Sequence, residues 1–525
     1  MVARSADNSE MDKNTRSDVF ICFSCVLFDM RRAVLVGVQG IIPHPHDLLA
    51  AGLWPAASDY EQRGEKMPDA TVKFECARYV ITMDLQRRII SNGSVVVQGQ
   101  RILHVGKSEE LSHVQADRVV DASDMVITPG FCNGHMHISY AHATRGIFPD
   151  DLGSDYLPNV FKLQAIMTEE EEYYTSLLAI TELLKYGTTT FMDPGSTKYI
   201  DHCIEAYRQT GCRIITGVHV TDKPNPLGLP VSTTADAIET VEVAIKKFNG
   251  QLDGRVSAWA MPFAPSMCSD ELLRGCKFLA DKYGTGMTLH YNNSQNYIDA
   301  SVKETGMLPS QYLEKIGVLG ENVTLAHMLG QDMSEVQVLA RSGSRAVVVP
   351  TAAVKGGAGM AYTGLLPEML AAGMAVGLGT DAGNNSNLLE TNRAMYLIAV
   401  LYKDARQDPK SIPAETALEM ATIRGAEALG LSNEVGSIEV GKKADLVLYD
   451  TRSAEWQTLF NPVNNLVYNA DGRSVHTVMV DGKIMVEDHE PLFVNEWELI
   501  QKVQGIGEDM LARTGLSFQS RWPIV

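Results

Sequence analysis

The sequence predicts an α/β protein: a parallel (β/α)8 barrel of the TIM type over residues 125–432, joined to a small β-sandwich built from both chain ends. Three observations point there. Eight short strand candidates alternate with amphipathic helical stretches through the middle of the chain. Two β-rich blocks, far apart in sequence, flank that middle. Titratable residues recur at the ends of several strand candidates, which in such a barrel converge on one face.

Taken in order, residues 1–66 mix polar and apolar pieces without sustained periodicity and contain Pro43, Pro45 and Pro55. They are expected to be a poorly structured extension, or upstream sequence that does not belong to the native start. Residues 67–124 carry short alternating runs (Thr71 to Met83, Ser94 to Val97, Arg101 to Val105) punctuated by Asn92-Gly93 and Gly99. A similar block returns over 433–497, so the two are assigned to one composite β domain. The barrel strand candidates are Met125–Ile127, Thr188–Met192, Arg213–Val220, Val256–Met261, Met287–Tyr291, Val323–Met328, Ala346–Val349 and Ala375–Leu378. Among the intervening helices, one starts at the N-cap candidate Thr168, with Glu169 to Glu172 at its positive end. Another runs from Pro413 to Gly430. Residues 498–525 are expected to form a helical tail.

The 525-residue chain is 45% apolar and 21% charged, ordinary for a globular protein, with a formal net charge of −19. That balance argues against a nucleic-acid partner, which would want a basic face. No run of 18 apolar residues exists, so neither a transmembrane helix nor a membrane partner is expected. Eight cysteines are too sparse for a disulfide framework; Cys22 and Cys25 form a lone C-x-x-C with no second pair. A cytoplasmic location is expected.

The strongest chemical signal is Ile127-Thr-Pro-Gly-Phe-Cys-Asn-Gly-His135-Met136-His137. Residues two apart in an extended segment face the same side, so both imidazoles can reach one metal ion. The spacing alone is weak: His44-Pro45-His46 has it without a preceding strand, and two buried, hydrogen-bonded core histidines would explain it equally well. The case strengthens further along, where His290, His327 and Asp381 each sit at the end of a different strand candidate. Packing alone seldom produces such a set.

These stretches, with Leu184 through Phe191, Leu366 through Asp381 and Gly436 through Asp450, resemble the amidohydrolase superfamily. Within it they are similar to the ATZ/TRZ branch of chlorohydrolases, aminohydrolases and related deaminases, which includes xenobiotic hydrolases. The resemblance spans about residues 71–490 in the family's order. It implies that His135, His137, His290 and Asp381 ligate one divalent metal ion per chain, zinc first, with manganese, iron or cobalt able to take its place. It further implies that His327 orients the attacking water and the substrate oxygen, and that Asp381 is general base and then proton donor. The fourth strand candidate offers no lysine to bridge a second metal, so a mononuclear site follows. The family also implies a homo-oligomer and a small-molecule substrate.

The sequence departs from that family around the metal. Where many deaminases of the branch have His-Leu-Ala-Glu-Thr, this chain has His290-Tyr-Asn-Asn293-Ser, and an amide cannot donate a proton as an acid. Where His-Ala-Pro is common, it has Phe263-Ala-Pro; where His-x-Pro is common, Val348-Val-Pro. The expected substrate is therefore a small, fairly apolar molecule with a hydrolysable amide, urea, carbamate or thiocarbamate-like C–N bond. Arg145, Asn293 and Phe263 are its candidate contacts. The alternatives are deamination of an aminated heterocycle and a non-catalytic barrel protein; the intact set of five metal-site residues speaks against the latter.

Overall fold

The computed structural model describes residues 70–518 and 520–525. Cys22 and Cys25, His44 and His46, and the whole expected extension 1–66 lie outside the described residues.

Eight strands form one parallel sheet: β1 (Phe131–Asn133), β2 (Thr188–Met192), β3 (Arg213–Thr216), β4 (Val256–Ala258), β5 (Met287–Tyr291), β6 (Val323–His327), β7 (Arg345–Val348) and β8 (Val376–Leu378). Their spatial order is β4-β3-β2-β1-β8-β7-β6-β5, and a parallel bridge between Ala260 and Met287 brings the two ends together. The closed parallel ring is a TIM-type barrel. Its seam between the first and last strands is thin, with Asn133 opposite Leu378 as the one registered pair. Backbone N–H groups of Thr380 and Asp381 add bonds to the His135 carbonyl at 3.1 and 2.9 Å.

The first barrel strand is not the expected Met125–Ile127. The strand Met125–Pro129 pairs with Tyr79 and Val80 on one side and with Leu446–Asp450 on the other, so it belongs to the composite sheet. The transfer to the barrel happens at Pro129-Gly130. Pro129 has no N–H to extend a ladder, Gly130 donates back to the Asp445 carbonyl, and Phe131 donates forward to Gly187. Gly130 is required there, since a Cβ would stand 2.1 Å from the Thr189 hydroxyl oxygen. The first barrel strand thus begins at Phe131 and not at Met125. The candidate Arg213–Val220 is likewise cut at Gly217, giving β3 and the short strand His219–Val220.

The composite sheet has nine strands drawn from residues 71–129 and 446–491, eight of them hydrogen-bonded in one continuous path and the ninth, Arg118–Asp121, paired off that path with Val72–Glu75. Phe74, Val95 and Ile127 from one chain end pack with Leu446 and Met479 from the other. A buried ion network ties the sheet to the barrel: Arg213 of β3 pairs with both oxygens of Asp445 at 3.1 Å and with Asp481 at 3.3 Å, and Lys443 reaches Asp481 at 2.9 Å.

The helix Glu169–Lys185 starts on a capping box in which Thr168 and Glu171 satisfy each other's backbone N–H groups. The expected helix 413–430 is two helices, Ala414–Ala421 and Ile423–Ala428, interrupted at Thr422, whose φ and ψ of −125° and −101° are not helical. The tail helix, Glu496–Thr514, ends at the left-handed Gly515, so the expected helical tail stops short of residue 525. Among the described residues no helix is long and apolar enough to cross a membrane. Cys76, Cys132, Cys203, Cys212, Cys268 and Cys276 are free thiols.

Candidate metal centre

Five predicted residues converge where strands β1, β5, β6 and β8 end. His135 and His137 lie in the loop just after β1, His290 is inside the end of β5, His327 closes β6, and Asp381 follows β8. The His135 ring centroid is 5.1 Å from that of His137, 4.8 Å from His290 and 4.9 Å from His327. His137 Nε2 is 3.6 Å from Asp381 Oδ1. Ligand atoms of His135, His290 and His327 form one mutually close set within 4.8 Å, and those of His135, His137 and Asp381 form another. The two sets share His135. Geometry alone therefore does not separate His327 from the proposed ligands.

The backbone at these strand ends is unusual. Asn292, His327, Met328 and Asp381 all have positive φ, at 43°, 81°, 59° and 61°. A residue such as His327 held there costs about 1–3 kcal/mol, and such conformations cluster where function requires a direction that regular strand cannot give.

Electrostatics favour neutral imidazoles. Burial holds His135 and His290 well below the usual histidine range, with neighbouring histidines adding to it, and holds His137 at about 3. His327 is also lowered by burial. His290 Nδ1 lies 2.9 Å from the Phe263 carbonyl, so it carries the proton and leaves Nε2 as a lone pair. Both ring nitrogens of His135 and Nδ1 of His137 are buried with no hydrogen-bond partner, an expensive arrangement for core histidines. Asp381 is fixed from both sides: Oδ1 accepts from the Ala382 N–H at 2.6 Å, and Oδ2 from Asn385 Nδ2 at 3.1 Å. Neutral imidazoles with orphaned nitrogens and one carboxylate fit a divalent cation.

The three candidate substrate contacts fare differently. Phe263 is beside the centre, its ring stacked on His290 at 4.4 Å and edge-on to His219 at 5.5 Å. With Leu229, Ala264 and Met267 it forms an apolar cluster against which Phe161 and Leu227 pack. Asn293 is exposed, and its amide oxygen accepts the Ser294 hydroxyl at 3.2 Å. Arg145 is engaged by Glu182 and the Gly383 carbonyl. Sequence reasoning passed over Asn292 and Gln331, both buried and both with amide nitrogen and oxygen unpartnered. It also passed over His219 and Asn385. Only Asn385, four residues after Asp381, had a spacing that could have drawn notice.

Comparison with known proteins agrees with this centre. The model of the amidohydrolase family matches residues 126–485. A 5'-deoxyadenosine deaminase of Methanobrevibacter smithii is 31% identical over 447 residues, covering 85% of this chain and 99% of that protein. A 5-methylthioadenosine/S-adenosylhomocysteine deaminase of Syntrophobacter fumaroxidans is 31% identical over 430 residues, covering 81% and 95%. Among solved structures, an adenosine deaminase from Xanthomonas campestris with bound zinc has a TM-score of 0.78 at 25% identity, covering 85% of this chain and all of that one. A triazine hydrolase from Arthrobacter aurescens shares the fold, with a TM-score of 0.77 at 22% identity, covering 84% and 100%. Barrel, clustered histidines and a match over well more than half of its length together show that this chain belongs to the amidohydrolase family.

Proposed function

We propose that the chain is a zinc-dependent hydrolase of an acyl C–N bond (amide, urea, carbamate or thiocarbamate-like) in a small, fairly apolar molecule. The observation that carries this reading is the supply of acids: Asp381 is the one carboxylate among the five converging residues, and Asn293 stands where a deaminase of this branch has its glutamate. His135, His137, His290 and Asp381 would hold the metal. Bound there, zinc lowers the pKa of water from about 15.7 towards about 7 and polarises the substrate oxygen.

The chain's own residues then have distinct tasks. Asp381 takes the proton of the attacking water and returns it to the departing nitrogen, so one acid serves both steps. His327, kept neutral by burial, offers an N–H to the oxygen that gains negative charge as water adds to the carbonyl carbon. The Phe263 cluster provides an apolar wall for the substrate's remaining bulk. Breaking the C–N bond gives an acid, or CO2 from a carbamic acid, and a free amine.

A second reading, deamination of an aminated heterocycle, is favoured by kinship: the deaminases at 31% identity support it better than they support the acyl reading. Against it stands the missing acid for a ring nitrogen. Incubating the zinc-loaded protein with matched series of aryl ureas, carbamates, amides and aminated purines, and identifying products by mass spectrometry, separates the two. Amine plus acid or CO2 supports the acyl reading; ammonia from the heterocycles alone replaces it with the deaminase. The same proposal takes the composite sheet as folding over into a small sandwich, and sets a homo-oligomer in the cytoplasm, where free cysteines persist.

A further inference from the structure

Arg145 uses three nitrogens at once. Nη1 and Nη2 pair with Glu182 Oε2 and Oε1 at 2.8 and 3.2 Å, while Nε donates to the Gly383 carbonyl at 3.1 Å. Glu182 projects from the helix Glu169–Lys185 and also faces His142 Nε2 at 2.6 Å. Gly383 lies two residues beyond Asp381, in the turn that Asp381 enters with φ of 61°. Neighbouring bonds fasten the same turn: Asn384 Nδ2 donates to the Thr144 hydroxyl at 2.8 Å, and Asn385 Nδ2 donates to Asp381 Oδ2 at 3.1 Å.

Contact between guanidinium and turn is close enough that a methyl group on Gly383 would have to displace the guanidinium. A Cβ at Gly383 would stand 2.9 Å from Arg145 Nη2. His142, Arg145 and Glu182 line a cavity of about 980 Å3 whose walls include none of the five metal-centre residues. The guanidinium thus meets the centre through backbone, by way of Gly383.

We propose that Arg145 is a positioning residue for Asp381: braced by Glu182, it holds the Gly383 carbonyl and so fixes the turn that aims the carboxylate at the metal. Lysine cannot replace it, because one ammonium cannot form the two-pronged pair and also span to the carbonyl. The inference rests on Asp381 being a metal ligand, as proposed above.

The test compares wild type with R145K, G383A and D381N, with melting temperatures recorded for each. Zinc affinity is measured by competition with a chelator, the metal geometry by the visible spectrum of the cobalt(II) protein, and kcat and KM on the substrate returned by the product screen. R145K and G383A are each expected to weaken zinc binding and lower kcat by about 10- to 100-fold, with KM kept and the cobalt spectrum changed. Should R145K fail to fold, G383A, which adds one methyl group, still decides. A raised KM with kcat and zinc affinity intact would make Arg145 a substrate contact and overturn the proposal. Unaltered zinc affinity, spectrum and kcat in both variants would overturn it too. D381N separates the premise: zinc affinity kept in D381N removes the ligand role itself, whereas zinc lost in D381N but kept in R145K and G383A defeats the positioning role alone.

Discussion

Phe263 holds His290 by its carbonyl oxygen, 3.0 Å from the backbone nitrogen and 2.9 Å from Nδ1, and by its ring, stacked 4.4 Å from the imidazole. The carbonyl fixes the tautomer and the ring fixes the plane. Phe263→Ala keeps the carbonyl and removes the ring, so zinc affinity should fall by about tenfold, near the lower end of what such supporting contacts contribute. His290→Ala should lose far more. Chelator competition on the two variants checks the order; equal losses would mean that the ring, and not the tautomer, governs His290.

Acid should destabilise the metal-free protein in a defined window. Burial, followed by His219 and His327, keeps His137 at about 3 in the folded chain, against about 6.5 for a histidine free in water. Between those two values the unfolded chain binds a proton that the folded chain refuses. Stability is therefore full above about 6.5 and falls as pH drops towards 3, by about 1.4 kcal/mol per pH unit for each such histidine. Thermal melts of metal-free protein at pH 7.5, 6 and 5 should show the decline; a flat profile would contradict it.

The junction between sheet and barrel depends on charges that are buried together. Removing Asp481 leaves Arg213 and Lys443 short of a partner in a dry setting. Asp481→Ala should cost about 3–5 kcal/mol of folding stability, readable by urea titration. Its kcat per folded molecule should hold, because none of these residues belongs to the metal centre.

Asn292 is a buried amide with neither nitrogen nor oxygen partnered. Replacing it by glycine, which adopts its φ of 43° freely, removes a polar group that folding leaves unsatisfied, so stability should change by no more than about 1 kcal/mol. If the amide serves substrate or an ordered water at the centre, kcat/KM should fall in the same variant. A variant less stable yet fully active would assign Asn292 to folding.

Much of this was legible in the sequence because it was written in short range. The eight-strand rhythm needs only local apolar runs, and Thr168 with Glu171 announces a helix start over four residues. His135, His137, His290, His327 and Asp381 could be picked out because each follows an apolar strand. What stayed hidden depends on distant partners. Nothing near Met125 reveals that its strand will pair with Leu446–Asp450 and leave the barrel to begin at Phe131. Arg145 looked available to a substrate until Glu182 and Gly383 were seen to occupy it. Asn292 became notable only once its surroundings proved to lack a donor or acceptor.

The thin seam between β1 and β8 gives the metal a mechanical meaning as well as a chemical one. His135 and Asp381 stand on either side of the place where the first barrel strand meets the last, 246 residues apart in the chain. Few backbone bonds cross that line, and closing so long a loop carries an entropic cost that the single registered pair does little to offset. An ion held by both residues, as proposed, would act as a clasp on a hoop. If His135 and Asp381 hold the ion as proposed, its removal should loosen that line, and faster exchange of the amide hydrogens at Gly134, Thr380 and Asp381 would report it.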